Sequence, residues 1–79
     1  MTKALICGIS GQDGAYLAQH LISCGYEVFG TSRDAQTTDF RNLQTLGIRD
    51  KVEMLSMSPV DFRSVLQTLT RVKPDEVYN

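Results

Sequence analysis

Short apolar runs alternate with helical patterns along the whole chain. Residues 4–7, 26–30, 52–55 and 76–79 each form an apolar or alternating run of strand length. Between the first two runs, apolar positions recur at the i, i+3, i+4, i+7 spacing of a helix with one buried face: Leu17, Ala18, Leu21 and Ile22. Gly25 then provides a left-handed cap that ends this predicted helix.

A second helix is predicted between the third and fourth strands. Ser58 reads as its N-cap, Pro59 as its first helical residue and Asp61 as the partner in a capping-box-like pair. The following apolar positions share one helical face: Phe62, Val65, Leu66, Leu69 and Val72. Pro74 stops the helix, because proline disfavours the helical conformation of the residue before it.

The segment between the second and third strands is predicted as a loop over residues 31–39 and a short helix over residues 40–46. The order strand, helix, strand, short helix, strand, helix, strand predicts an α/β fold with a parallel sheet and right-handed crossovers. We therefore expect a Rossmann-like, doubly wound sheet with strand order 3-2-1-4, of which residues 1–79 form a partial NAD(P)-binding domain. We expect the chain to be a fragment, and a complete small binding module is the alternative.

Composition narrows the classes of protein to consider. The chain has 79 residues, 42% hydrophobic and 22% charged, with a net charge of −1. These values are typical of one globular domain with a thin core, and the charges form no basic stripe that would attract nucleic acid or an anionic membrane. The apolar run at residues 4–7 is too short for a signal or membrane segment, so we expect a cytoplasmic protein. Cys7 and Cys24 lack metal-site spacing and are predicted to be buried, reduced thiols with no metal.

Three glycines spaced three apart lie between the first strand and the first helix. A strand that ends in such a turn and re-enters as a helix directs N–H groups and the positive end of the helix dipole at one point, where a pyrophosphate can bind. In this interpretation Gly8 makes the turn, Gly11 lets the pyrophosphate approach and Gly14 lets the helix pack closely on the strand. The candidate cofactor-binding residues of the turn are Gly8, Ile9, Ser10, Gly11, Gln12, Asp13 and Gly14.

Residues 4–18 resemble the start of the GDP-mannose 4,6-dehydratases, in which Gly-Gln-Asp-Gly followed by a small residue and Tyr-Leu is distinctive. Residues 25–28, Arg33 and residues 72–79 are similar to the same family at the same relative positions. The resemblance implies an NADP-dependent lyase that forms GDP-4-dehydro-6-deoxymannose from GDP-mannose, working as a homo-oligomer. The family's Tyr-x-x-x-Lys pair and Glu base would lie beyond residue 79. Neither Tyr16 nor Tyr78 has a lysine four residues later, so no catalytic residue is assigned.

The resemblance also bears on which dinucleotide binds. Arg33 stands where the family places an arginine for the 2′-phosphate of NADP, and an Arg fork suits that group. Asp34 lies near the spacing expected for a ribose-binding acid, so NAD is the alternative cofactor. Ser58 stands at the family's adenine-contacting position, where an Asp is usual, so adenine recognition is expected to differ.

Three functions remain open from the sequence. The leading one is the cofactor-binding segment of a dehydratase, whose nucleotide-sugar substrate would bind through a C-terminal part that these residues lack. The second is a segment of a nucleotide-sugar reductase or epimerase of the same superfamily. The third is a noncatalytic dinucleotide-binding module.

Overall fold

The structure, a computed structural model, describes residues 1–33 and 40–78. Its elements in chain order are β1 (Lys3–Cys7), α1 (Gln12–Ser23), β2 (Glu27–Ser32), α2 (Arg41–Thr45), a 3₁₀ turn (Arg49–Lys51), β3 (Val52–Ser56), α3 (Phe62–Val72) and β4 (Glu76–Tyr78). The four strands are parallel and lie in the order β3-β2-β1-β4. The predicted Rossmann-like α/β arrangement and its strand order are therefore confirmed.

The two faces of the sheet carry separate apolar layers. The layer under α1 and α2 is the larger one, and Ala4 and Ile6 of β1 belong to it. Leu5 points to the opposite face, because successive side chains of a strand alternate, and there it joins a smaller cluster. That cluster consists of Leu5, Phe29, Leu55 and Val72. The alternation at residues 4–6 thus divides the core between α1 and α3.

Packing of the turn after β1 requires a glycine in β2. The Ile9 side chain is fully buried, and it lies directly against Gly30. A Cβ built on Gly30 would lie 2.5 Å from Ile9 Cδ1 and 2.7 Å from Ile9 Cγ2. Gly30 therefore allows the chain leaving β1 to cross close over the end of β2.

Strand β2 extends two residues further than the sequence predicts. Thr31 and Ser32 were expected in a loop, but Thr31 pairs with both Cys7 and Leu55 and is buried. A central strand continues as long as both neighbours offer ladder partners, whatever the polarity of its residues. The rest of the predicted loop, residues 34–39 including Asp34, lies outside the described residues, as does Asn79.

The start of α3 differs from the prediction. Asp61, not Ser58, is the N-cap, and its side chain accepts a hydrogen bond from the Arg63 N–H at 3.0 Å. Ser58 lies in the preceding turn, where its carbonyl oxygen accepts from the Asp61 N–H at 3.2 Å. That turn delays the helix by three residues, so the capping role falls to the carboxylate.

The apolar face of α3 is only partly used. Thr68 and Val72 are buried, whereas Phe62 is 79% exposed and Leu66 is 52% exposed. Among the described residues α3 is the one helix on this side of the sheet, so no neighbouring helix covers that flank.

Both cysteines are free thiols, but they are less buried than predicted. Cys7 is half-buried and Cys24 is exposed, with its Sγ 3.8 Å from Nε2 of the exposed His20. Cys24 follows the last residue of α1, where its thiol lies beside the imidazole. Within residues 1–33 and 40–78, no group of three or more His, Cys, Asp or Glu side chains is placed to hold a metal ion. No helix of the described chain is long and apolar enough to cross a bilayer.

The contact between Gly30 and Ile9 predicts a large difference between two glycine substitutions. We expect Gly30→Ala to lower the free energy of unfolding by about 1–3 kcal/mol, because the new methyl overpacks a side chain that has no room to move. Gly11→Ala is the matched control, since a Cβ there meets no atom within 4 Å. It should cost less than about 1 kcal/mol, the usual range for an N-cap change. Urea denaturation measures both, and equal losses would contradict this packing role.

Candidate cofactor site

The glycine turn is attached to the end of β2 by backbone hydrogen bonds. Gly8 has φ +73°, a left-handed conformation that favours glycine. The N–H groups of Gly8 and Ile9 both donate to the carbonyl oxygen of Thr31, at 3.1 and 3.0 Å. Gly8 N also lies 3.3 Å from Thr31 Oγ1. The first two N–H groups of the turn are therefore used within the protein, and they fix where the turn begins.

Gly11 is different, because nothing in the described residues requires a glycine there. It is the N-cap of α1 with φ −75° and ψ 166°, which any residue can adopt. A Cβ on Gly11 would meet no atom of the described chain within 4 Å. No side chain caps α1 within this structure, so its first N–H groups are left for solvent or a ligand. The turn thus offers an open approach to backbone donors at a helix N-terminus, and it fits a pyrophosphate.

Gly14 permits a close backbone contact, but the contact partner differs from the one that the sequence predicts. A Cβ on Gly14 would lie 3.0 Å from Ile9 Cα and 3.1 Å from the Ile9 carbonyl oxygen. The helix is therefore packed against the turn itself, where the sequence predicted contact with the strand. A Cβ there would be tighter than an ordinary contact, and the neighbouring atoms belong to the backbone and can yield little, which accounts for the third glycine of the motif.

A pocket of about 400 Å³ opens on the β2 side of the turn. It is lined by Cys7, Gly8, Ser10, Thr31, Ser32, Arg33, Met57 and Pro59. Among these described lining residues, Arg33 carries the only charge, and its side chain is exposed. Such a pocket, with hydroxyls, small side chains and one guanidinium, suits the adenosine half of a dinucleotide.

Ser58 does not line this pocket, although its neighbours Met57 and Pro59 do. Ser58 is half-buried, and its backbone N–H donates to Ser64 Oγ at 3.0 Å. Met57 and Pro59 therefore border the pocket on either side of Ser58 in the sequence. Contact between Ser58 and a cofactor stays a prediction.

A second pocket, of about 300 Å³, opens on the β4 side of the turn. Its lining consists of Ile6, Cys7, Gly8, Asp13, Gly14, Leu17 and Tyr78. Cys7 and Gly8 border both pockets, so the turn lies between them at the point where the strand order reverses. An extended ligand that crosses the turn can enter both.

The predicted turn residues separate into two groups in the structure. Ser10, Gln12 and Asp13 are exposed beside the pockets or at the first turn of α1, as a ligand-binding role requires. Ile9 is fully buried and its N–H bonds to Thr31, so the structure gives it a packing role, and contact with a cofactor stays a prediction. The sequence did not predict that Thr31 accepts hydrogen bonds from the turn, because residues 31–39 were assigned to a loop. It also missed Asn42, whose Nδ2 donates to the Ser10 carbonyl oxygen at 3.2 Å, and no sequence motif signals that contact.

Tyr78 is held by a carboxylate at the edge of the second pocket. Its hydroxyl donates to Glu76 Oε1 at 2.6 Å, and the Tyr26 hydroxyl donates to Glu76 Oε2 at 3.3 Å. The hydrogen bond to Glu76, followed by partial burial and the carboxylate charge, raises the pKa of Tyr78 to about 12. The same bond to Glu76 is the main cause that raises the pKa of Tyr26. The Tyr78 hydroxyl is therefore engaged by a carboxylate of its own strand.

The fold and the turn define the class of protein: a Rossmann-like α/β fold with a glycine-rich turn between β1 and α1. A family model described as GDP-mannose 4,6 dehydratase matches residues 5–79. The chain belongs to the GDP-mannose 4,6-dehydratase family.

Individual curated relatives carry the name of this family. A GDP-mannose 4,6-dehydratase of Vibrio cholerae is 39% identical over 82 residues, which cover 98% of this chain and 22% of that protein. The GDP-mannose 4,6 dehydratase of Homo sapiens is 34% identical over 82 residues, 96% of this chain and 22% of that protein. The chain thus spans about a fifth of the length of the curated relatives that it matches.

Two solved structures share the fold. The Bordetella bronchiseptica enzyme WbmH in complex with NAD+ superposes with a TM-score of 0.73 at 28% identity, over 98% of this chain and 24% of that one. A putative epimerase from Burkholderia cenocepacia has a TM-score of 0.72 at 23% identity, over 96% of this chain and 23% of that one.

The bond between Tyr78 and Glu76 predicts how stability falls at alkaline pH. The folded chain holds the Tyr78 proton more tightly than the unfolded chain, whose tyrosines titrate near about 10. This contribution is therefore complete below about pH 10 and is lost as the pH rises towards about 12. In Tyr78→Phe the part of the alkaline decline that comes from this group should disappear. Urea unfolding midpoints measured at pH 8 and at pH 11 test this, and an identical decline in both proteins would contradict it.

Proposed function

We propose that this chain is the NADP-binding N-terminal segment of a nucleotide-sugar 4,6-dehydratase, a lyase that converts GDP-mannose to GDP-4-dehydro-6-deoxymannose. Family membership supports the reaction, because the curated relatives carry that name. The observation that supports the binding role best is Gly11: within the described residues neither conformation nor packing demands a glycine there, whereas a pyrophosphate close to the backbone would.

In this proposal the turn binds and orients the cofactor. The free N–H groups at the start of α1 hold the pyrophosphate, and the helix dipole adds to the attraction. The bound nicotinamide cofactor would supply hydride transfer. Within the described chain, the site residues bind and position, and none is paired to move a proton to or from a sugar. The 79-residue chain alone is therefore expected to lack dehydratase activity.

Arg33 is the residue proposed to select NADP. Its guanidinium borders the first pocket beside the Ser32 residue of β2, where a 2′-phosphate would need a cation. Thr31 contributes less, because its hydroxyl is directed at the Gly8 N–H. NAD is the alternative cofactor, supported by the NAD+ complex of the similar Bordetella enzyme.

A second candidate function is a nucleotide-sugar reductase or epimerase of the same superfamily. The replacement of a carboxylate by Ser58, which lies off the pocket lining, favours a cofactor environment different from that of the dehydratases. A noncatalytic dinucleotide-binding module is the third candidate. For each candidate function we propose a cytoplasmic homo-oligomer that binds neither nucleic acid nor membranes. This part of the proposal rests on the charge pattern and on the family resemblance.

Substitution of Arg33 tests the choice of cofactor. We expect wild type to bind NADPH more tightly than NADH by calorimetric titration, and Arg33→Ala to reduce that preference by about tenfold or more, the value of a hydrogen bond to a charged group. Arg63→Ala, an exposed arginine on α3 that does not line the pocket, is the matched control. Tighter binding of NADH that Arg33→Ala leaves unchanged would favour the NAD alternative.

Substitution of Gly11 tests the phosphate turn. Gly11→Val should abolish binding of both dinucleotides, because its side chain fills the open approach, while the free energy of unfolding changes by no more than about 1 kcal/mol. Thiol alkylation gives an independent readout: NADPH should slow the reaction of Cys7, which borders both pockets, in wild type but not in the variant. Cys24, at the far end of α1, should react equally in every sample. A folded variant with wild-type affinity would refute the turn assignment.

A further inference from the structure

Asn42 joins the short helix α2 to the glycine turn across 32 residues of chain. Its Nδ2 donates to the carbonyl oxygen of Ser10 at 3.2 Å. Ser10 is exposed and lines the first pocket, whereas Asn42 is half-buried at the second residue of α2. The contact therefore connects a ligand-facing segment to an element that is anchored in the core.

The anchoring of α2 fixes where Asn42 can reach. Leu43, its chain neighbour, is fully buried in the larger apolar layer. Phe40, the N-cap of α2, is also buried, and its backbone holds the left-handed conformation at φ 49°. The Arg49 guanidinium carbon lies 5.2 Å from the centre of the Phe40 ring, within cation–π range. With Phe40 and Leu43 packed into the core, Asn42 has little freedom to move away from the turn.

The hydrogen bond from Asn42 to Ser10 sets the orientation of the peptide group between Ser10 and Gly11. A trans peptide is planar, so its C=O and the next N–H point in opposite directions. The Ser10 carbonyl points to Asn42, and the Gly11 N–H therefore points away from α2. At the other end of the turn, Thr31 already holds the N–H groups of Gly8 and Ile9. Asn42 and Thr31 thus hold the turn from two sides and leave Gly11 between them open.

We propose that Asn42 is a positioning residue of the pyrophosphate-binding turn: its bond to Ser10 sets the direction in which the Gly11 N–H is presented. The proposal rests on the proposed function, since it assigns a role within the same cofactor site. The proposal predicts which dinucleotide affinities fall when Asn42 is replaced. The pyrophosphate is common to NADPH and NADH, so a defect in the turn weakens both alike, whereas a defect at the 2′-phosphate changes their ratio.

The test compares Asn42→Leu, which keeps the approximate shape and removes the donor, with Thr45→Val. Thr45 is the matched control, because its hydroxyl donates to the Arg41 carbonyl inside α2 and not to the turn. By calorimetric titration of the 79-residue chain, Asn42→Leu should weaken NADPH and NADH binding by the same factor, about threefold to tenfold for one hydrogen bond. Thr45→Val should bind both as wild type does.

The outcomes separate this inference from the proposed function. Wild-type affinity in Asn42→Leu would overturn the positioning role alone, and so would a loss confined to NADPH. Failure of wild type to bind either dinucleotide would count against the proposed function. In that case the Gly11 amide signal in a ¹H–¹⁵N correlation spectrum, which needs no ligand, still decides the inference. We expect that signal to shift in Asn42→Leu, because the Ser10 carbonyl of the same peptide group loses its donor, and to keep its wild-type position in Thr45→Val. An unshifted Gly11 amide signal in Asn42→Leu would overturn the inference.

Discussion

The close approach of the glycine turn to the end of β2 is the constraint on which the rest of the structure depends. Two backbone N–H groups of the turn bond to Thr31, and the Ile9 side chain occupies the space above Gly30 that a side chain would fill. These contacts set the direction in which the chain leaves β1 and therefore where α1 begins. They also place the turn between the two pockets. The same contacts therefore determine both the packing of the core at the turn and the geometry of the site.

The core is unequal on the two sides of the sheet, and this affects how rigidly the site is held. The glycine turn belongs to the larger layer, where Ile9 and the buried residues of α1 and α2 surround it. A site on well-packed elements keeps its backbone donors in place without a ligand. The α3 side has a smaller cluster and an exposed apolar flank, and it contributes only the residues just before α3 to the first pocket.

The chemistry of the described residues is that of binding. Backbone donors, small side chains and one guanidinium meet at the turn, and the nearest phenol, Tyr78, is held in its protonated form by Glu76. Two tyrosine hydroxyls share that carboxylate, so its oxygens are occupied in the fold and are not directed at a ligand. A segment of this kind orients a cofactor, and proton transfer to a sugar needs groups placed elsewhere.

Much of this could be read from the sequence, because its signals are local. Periodicity indicated the order of strands and helices, and the glycine-rich turn after the first strand indicated the Rossmann-like strand order. The spacing of the three glycines located the turn, since positive φ and close backbone approach are demands on single residues. Tertiary structure alone decided the extent of β2, the use of Asp61 as the cap of α3, the partner of Gly14 and the contact from Asn42 to Ser10. Each of these depends on which atoms from distant parts of the chain come within contact distance, and no local pattern of residues carries that information.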